Sequence, residues 1–410
     1  MPNIFRSLWS GELLSFTSTQ FILFILPVIA ISSLNLENSQ VSAINVAVGV
    51  GTLSFLLLLQ RLGDSHKKIM LLSLCSLIRS LLCFSVSYLL AIGEFKIVFL
   101  FFFAFLISGI TVFYDSLFSS LIPAVIDKKY IPRANRWFAS LHSVADIVVG
   151  ATAGVAFGMM NSSNLFIIFG VLYALSLIGP VSAARSYTGV ADTKQKVSED
   201  THTGYWAGLT FLVRDNIQFP LTKSIVYFNF ITSGIQAVYI IYLLRNTDFS
   251  VLSLGVASSL GGVLGIILAH FSGRKIDTLK PYYVLIVTFL LPVVSGVGIY
   301  ISQYFNNVFS IVIVGVSLAL WSSSMMINIS ISETLKHLLV PHDVLGRFSM
   351  SQRLLTWGAD PLGAVLASFL LAYLQAGTVF LVFLLLLCVS PLWVIISGEI
   401  RKLPVLSENG

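Results

Sequence analysis

Polar residues are sparse along this chain and fall in short bursts. Between the bursts run apolar stretches of about 20 residues or more, the length a helix needs to cross a bilayer's hydrocarbon. Twelve such stretches can be read, at 11–33, 41–60, 69–91, 97–124, 137–159, 164–184, 220–244, 250–272, 281–302, 308–332, 351–374 and 378–398. Each predicts a transmembrane helix, because in lipid only a helix or a closed barrel satisfies every backbone N–H and C=O. The connections on one side are short and nearly uncharged, as at Asn161–Asn164 and Gln303–Asn307. Of the 24 Lys and Arg, Lys96 and Arg245 fall on that side, Arg79 lies within a span, and the other 21 fall on the opposite side. The positive-inside rule then places both termini in the cytoplasm.

Arg185–Phe219 is the longest polar segment, and its ADTKQKVSEDTHTG stretch reads as a solvated linker. The expected organisation is an N-terminal six-helix bundle (1–184), a cytoplasmic linker (185–219), a C-terminal six-helix bundle (220–398) and a short tail (399–410). The fold class expected is therefore an all-α membrane protein of twelve transmembrane helices in two pseudo-symmetric six-helix bundles.

Composition agrees with a lipid-solvated chain. Hydrophobic residues make up 56% and charged residues 10%, with a mean hydropathy of +0.92, whereas a soluble domain carries roughly 25% charged residues. The net charge of +6 is spread over loops and gives no nucleic-acid patch. Cys75, Cys83 and Cys388 all sit in apolar runs, which predicts neither a disulfide framework nor a metal site. The first run, Leu13–Ser33, could pass for a signal peptide, but its removal would leave one half with five helices. There is no G-x-x-x-x-G-K loop, HExxH or CxxC, so no enzyme activity, cofactor or ATP hydrolysis is expected of the chain.

The two halves repeat. Shifting Ile126–Gly154 by 214 positions onto Val340–Gly363 aligns Arg133 with Arg347 and Asp146 with Asp360. A second loop pair aligns Asp64 in QRLGDSHKKIM with Asp277 in SGRKIDTLKPYYV at a shift of 213. Internal repeats of this kind mark secondary transporters built from paired helix bundles.

Gly63-Asp64-Ser65-His66-Lys67-Lys68, after the second span, resembles the helix 2–3 signature of the major facilitator superfamily. The resemblance implies a cytoplasmic gate latched by charge, here Asp64, Arg133, Arg136, Asp277 and Arg347. Ser65 departs from the family's usual Arg. Ile131-Pro132-Arg133-Ala134-Asn135, Pro341–Arg347 and Pro361-Leu362-Gly363 are similar to the branch of bacterial macrolide-efflux pumps and the enterobactin exporter. The fifth span's Gly150 and Gly154 share a helical face and resemble the superfamily's antiporter signature, but Ala151 stands where that signature has proline.

A charge in hydrocarbon is costly and needs a partner or a wet cavity. Arg79, Asp115 and Asp146 each lie about nine or ten residues from the cytoplasmic end of consecutive spans, roughly 13–15 Å deep. In the second half Pro292 and Ile329 replace Arg79 and Asp115, and only Asp146 keeps a counterpart, Asp360. Two acids against one Arg leave a carboxyl in excess, so Asp146 or Asp115 is expected to bind a coupling proton. The competing reading is a static Arg79–Asp115 ion pair. His142 shares a face with Asp146. Glu12 and Glu333, near span ends, read as snorkelling or loop-paired acids, and His270 and His337 as structural.

The resembled fold uses spans 1, 4, 7 and 10 as inner helices. These carry Thr17, Thr19 and Gln20; Tyr114; Asn229, Gln236 and Tyr239; and Trp321, Ser324, Met325 and Asn328. With Asp360 they are the candidate lining of a substrate cavity, and aromatics, amides and a Met suit a large amphipathic ligand. Interhelical hydrogen bonding is the competing use of each. The resemblance implies a monomeric, multi-pass protein of the bacterial cytoplasmic membrane that exports an amphipathic drug or siderophore in exchange for protons. Import of a siderophore or nutrient, and a non-transporting sensor or assembly partner, are the rivals.

Overall fold

The computed structural model describes residues 3–59, 68–125, 141, 145, 148–149, 152–186, 201–276 and 279–405. They form α1 (Asn3–Ser32), α2 (Asn38–Leu59), α3 (Lys68–Ala91), α4 (Ile97–Val125), α5 (152–159), α6 (Ser162–Ser176) and α7 (Ile178–Ser186). After these come α8 (Thr201–Arg214), α9 (Gln218–Asn246), α10 (Val251–Ile276), α11 (Pro281–Ile301) and α12 (Asn307–Leu339). The last are α13 (His342–Leu371), α14 (Ala376–Leu387), α15 (Leu392–Ile396) and α16 (Gly398–Lys402). No strand occurs among the described residues. Eleven helices there are long and apolar enough to span a membrane. Of the fifth expected span, 137–159, only 141, 145, 148–149 and 152–159 are described. The molecule is an all-helical, multi-pass membrane protein.

Two helices were expected to run unbroken but do not. Pro180 has no N–H for the Ser176 carbonyl, and the sixth span breaks at Leu177 between α6 and α7. Pro391 likewise leaves the Leu387 carbonyl without its helical donor, and the Ser390 N–H (3.1 Å) and hydroxyl (2.7 Å) donate to it instead. Such repairs are what allow proline inside lipid. The segment expected to be a linker contains a helix, α8. Its Leu212 is buried with Val340 and Phe348, and Leu209, Phe211, Val344 and Leu345 pack around them. Asp215 then caps α9, its Oδ1 accepting from the N–H groups of Ile217 (2.9 Å) and Gln218 (2.6 Å).

The chain divides into two compact units, Met1–Asp192 with Ser250–Ser259, and Thr193–Phe249 with Leu260–Gly410. Inside lipid, apolar burial no longer drives helices together, so close packing and interhelical hydrogen bonds decide. In the first unit α2 meets α4 where a Cβ on Gly51 would run into the Phe105 carbonyl, and Ser108 donates to the Val48 carbonyl at 2.9 Å. Ser80 donates from α3 to the Gly170 carbonyl of α6 at 2.8 Å. In the second unit α9 lies against α13 so closely that a Cβ on Gly363 would overlap the Phe230 carbonyl oxygen. Ser233 there donates to the Asp360 carbonyl at 2.7 Å, and Asn229 Nδ2 to the Thr356 carbonyl at 3.2 Å.

Candidate functional site

The first unit's interior holds a cation. Arg79, on the middle of α3, is fully buried. Its Nη2 reaches Ser76 Oγ only at 3.5 Å, and neither Nε nor Nη1 has a hydrogen-bond partner. The guanidinium carbon instead lies 4.2 Å from the ring centre of Tyr114 on α4 and 4.5 Å from that of Tyr173 on α6. A ring face attracts a desolvated cation, but it cannot take the in-plane N–H groups as hydrogen bonds. The cage is itself held in place. Tyr173 Oη pairs with Thr19 Oγ1 of α1 at 2.9 Å, Ser176 donates to Ser76 at 3.1 Å, and Tyr114 stacks on Phe118 with ring centres 6.0 Å apart. Apolar residues close round it, among them Ile110, Phe113, Leu117 and Cys75.

Arg79 forms no ion pair with Asp115. The Asp115 side chain is exposed, whereas its neighbour Tyr114 turns inward to the cage. Equal depth in adjacent spans therefore did not bring these two charges together, because successive helix positions point about 100° apart. Asp146 and His142, and the gate candidates Asp64, Arg133, Arg136 and Asp277, lie outside the described residues. Arg347 lies on α13 with its side chain also outside them.

Glu12 departs from its expected setting. It is only 4% exposed, not a snorkelling acid at an interface. The reason is that α1 begins at Asn3, so Glu12 is more than two turns inside the helix. Glu333 does keep local partners, with Lys336 Nζ at 2.5 Å and His337 Nε2 at 3.8 Å.

The expected cavity residues divide. Asn328 is buried and donates across to Thr288 Oγ1 of α11 at 2.8 Å, and Asn229 bonds the α13 backbone. Ser324 and Thr19 are likewise engaged, Ser324 with the Trp321 carbonyl (2.9 Å) and Thr19 with Tyr173. These are interhelical or local structural bonds. Tyr114 belongs to the Arg79 cage. Gln20, Tyr239 and Trp321 are half-buried and Gln236 is exposed.

Asp360 is the second charge to account for. It lies nine residues into the span Ser351–Leu371, about 13 Å along the helix. Its carboxylate is half-buried and has neither a hydrogen-bond donor nor a cation within 4.0 Å among the described residues. Sequence reasoning named Arg79 and Asp360 but missed Tyr173 and the Ser76–Ser176 pair. A lone tyrosine and two serines in otherwise apolar spans were the only signal.

This arrangement of helices has known counterparts. The Major Facilitator Superfamily model matches residues 8–355. The chain belongs to the Major Facilitator Superfamily. Solved structures of similar fold include the nucleoside transporter NupG, with a TM-score of 0.75 at 13% identity, covering 98% of this chain and 100% of that one. A bacterial homologue of the iron transporter ferroportin in its inward-facing state has a TM-score of 0.74 at 16% identity, covering 97% and 98%. An auto-inhibited peptide transporter of the POT family has a TM-score of 0.72 at 13% identity, covering 98% of each chain. Identities this low speak for the fold alone. No curated protein sequence gives a significant match. As a member of the superfamily the chain carries a membrane transporter's fold, with Arg79 and Asp360 as charges set within its spans.

Proposed function

We propose that the chain is a secondary active transporter that exports an amphipathic organic compound, a drug or a siderophore, in exchange for protons. The carrying observation is Asp360, a carboxylate about 13 Å inside a span that no described cation neutralises. Charges at such depth mark ion pathways and proton relays. A carboxylate without a fixed counter-ion is a group that can be charged in one conformation and protonated in another. Asp115 is exposed and, with Asp146, remains a coupling candidate, whereas Arg79 is better read as a recognition group than as their partner.

Gln20, Gln236 and Trp321 are amide and aromatic side chains within the spans that are not fully buried, which supports an amphipathic cargo. The Pro-Arg-Ala-Asn and Pro-Leu-Gly motifs support the macrolide-efflux and enterobactin-exporter branch. The basic loops support cytoplasmic termini in a bacterial inner membrane, with the chain acting as a monomer. Alternating access through rocking of two bundles would move the cargo, and each proton entering through 100 mV supplies about 2.3 kcal/mol.

The test is dye and siderophore flux in proteoliposomes under an imposed pH gradient. Accumulation should follow the gradient and vanish with an ionophore that exchanges protons for potassium. Asp360→Asn, Asp115→Asn and Asp146→Asn should not all transport at the wild-type rate; if they do, proton coupling through these carboxylates is wrong. Import is the second reading, favoured by Ala151 in place of the antiporter proline. Flux into right-side-out but not inside-out vesicles would establish it.

A further inference from the structure

The Arg79 cage has a shape that its own residues do not use. Three N–H donors, on Nε and Nη1, end without a partner in a fully buried side chain packed among aromatic and aliphatic residues. Interiors rarely leave such donors empty, and burying a cation without a counter-charge is costlier still. The described acids of the elements packed around it are Glu12 on α1 and Asp115 on α4. Neither forms an ion pair with Arg79: its side-chain contacts are Ser76, Tyr114 and Tyr173. Among the described residues the protein thus holds a planar fork of donors ready, walls it with ring faces, and sets no carboxylate in ion-pair contact with it.

We propose that Arg79, with Tyr114 and Tyr173, is the recognition subsite for a carboxylate on the transported molecule, so that the cargo is an amphipathic organic anion. The inference rests on the transporter reading above and narrows its substrate class. A carboxylate matches the guanidinium fork in a bidentate way that an ammonium point charge cannot reproduce. Ser76, held by Ser176, lies at the edge of the same fork. The apolar residues from α4, Ile110, Phe113 and Leu117, suit the cargo's hydrocarbon part. One wall is fixed, because Tyr173 is bonded to Thr19. The other, Tyr114 with Phe118, is held by ring stacking, and the ligand reaches the fork in a conformation where that α4 wall has swung aside.

The experiment uses the purified full-length chain in detergent, which makes binding independent of any gradient. Pyrenebutyric acid and its uncharged primary amide are titrated, following fluorescence and the ligand-induced rise in melting temperature, with sodium sulfate and phosphate as competitors. The wild-type protein should bind the acid about tenfold or more tightly than the amide, the loss expected when a charge-assisted pair is removed. Arg79→Gln should abolish that preference, and Arg79→Lys should retain only part of it. The acid should also slow alkylation of Cys75, one turn from Arg79, in the unmutated protein, so the idea stays testable if the variants fail to fold. Equal binding of acid and amide by the wild type, or a preference that survives in Arg79→Gln, overturns the proposal. Binding of sulfate or phosphate but not the acid also overturns it, since the site would then serve a small inorganic anion. Proton-driven flux of neutral dyes that persists in the face of either failure shows that the transporter reading stands without this subsite.

Discussion

Replacing Gly363 by alanine sets a methyl group against the Phe230 carbonyl oxygen of α9, where no space exists and the obstacle is backbone. Side-chain rotation cannot relieve the clash, so α9 and α13 must separate locally. Overpacking of this kind costs about 1–3 kcal/mol. The same separation stretches the Ser233–Asp360 and Asn229–Thr356 bonds, each worth about 0.6 kcal/mol in a membrane protein. The expected loss is thus about 2–4 kcal/mol. Gly358, on the same helix, is the internal control, because a Cβ there meets nothing within 4 Å. Alanine at that position should be neutral or stabilising by up to about 1 kcal/mol through helix propensity. Melting of both variants in one detergent, followed by tryptophan fluorescence, separates the effects. Gly363→Ala should melt several degrees below the wild type and Gly358→Ala at or above it. If the two variants melt together, the close α9–α13 contact described above is wrong.

Asp360→Asn should retain cargo binding in detergent but lose the pH dependence of transport, measured as flux against external pH. Asn328→Ala should destabilise the second unit by about 0.6–1.7 kcal/mol through its bond to Thr288, and a double-mutant cycle with Thr288→Val should recover a coupling energy of that size. Ser390→Ala should cost about 1 kcal/mol in the wild type by removing its hydroxyl's bonds to the Leu387 and Phe289 carbonyls, and part of that cost should disappear when Pro391→Ala gives the Leu387 carbonyl back its helical donor; urea unfolding of the four proteins tests this. Leu212→Asp should free α8 from Val340 and Phe348, read as faster trypsin cleavage between 185 and 219.

Hydropathy made most of the architecture legible. The windows at 69–91 and 281–302 match α3 and α11 to within a residue, because lipid leaves the backbone no alternative to a helix. Errors arose where structure is decided by something other than apolar length. The polar start of α1 is invisible to a hydropathy window, which is why Glu12 was placed near an interface. The amphipathic α8 is too short and polar to register, and it is stabilised by Leu212 meeting Phe348 from a distant segment.

Depth along a span is a one-dimensional property, and counting from the helix ends picked out Arg79, Asp115 and Asp146 as intramembrane charges, with Asp360 added as Asp146's counterpart in the repeat. Direction round the helix axis is not contained in that count. Which way Asp115 turns, whether Arg79 meets a carboxylate or two tyrosine rings, and whether Asn328 lines a cavity or bonds Thr288 depend on how neighbouring helices rotate and approach. Those rotations are set by contacts between residues far apart in the chain, such as Gly363 on Phe230 and Thr19 on Tyr173, so only the folded structure could decide them.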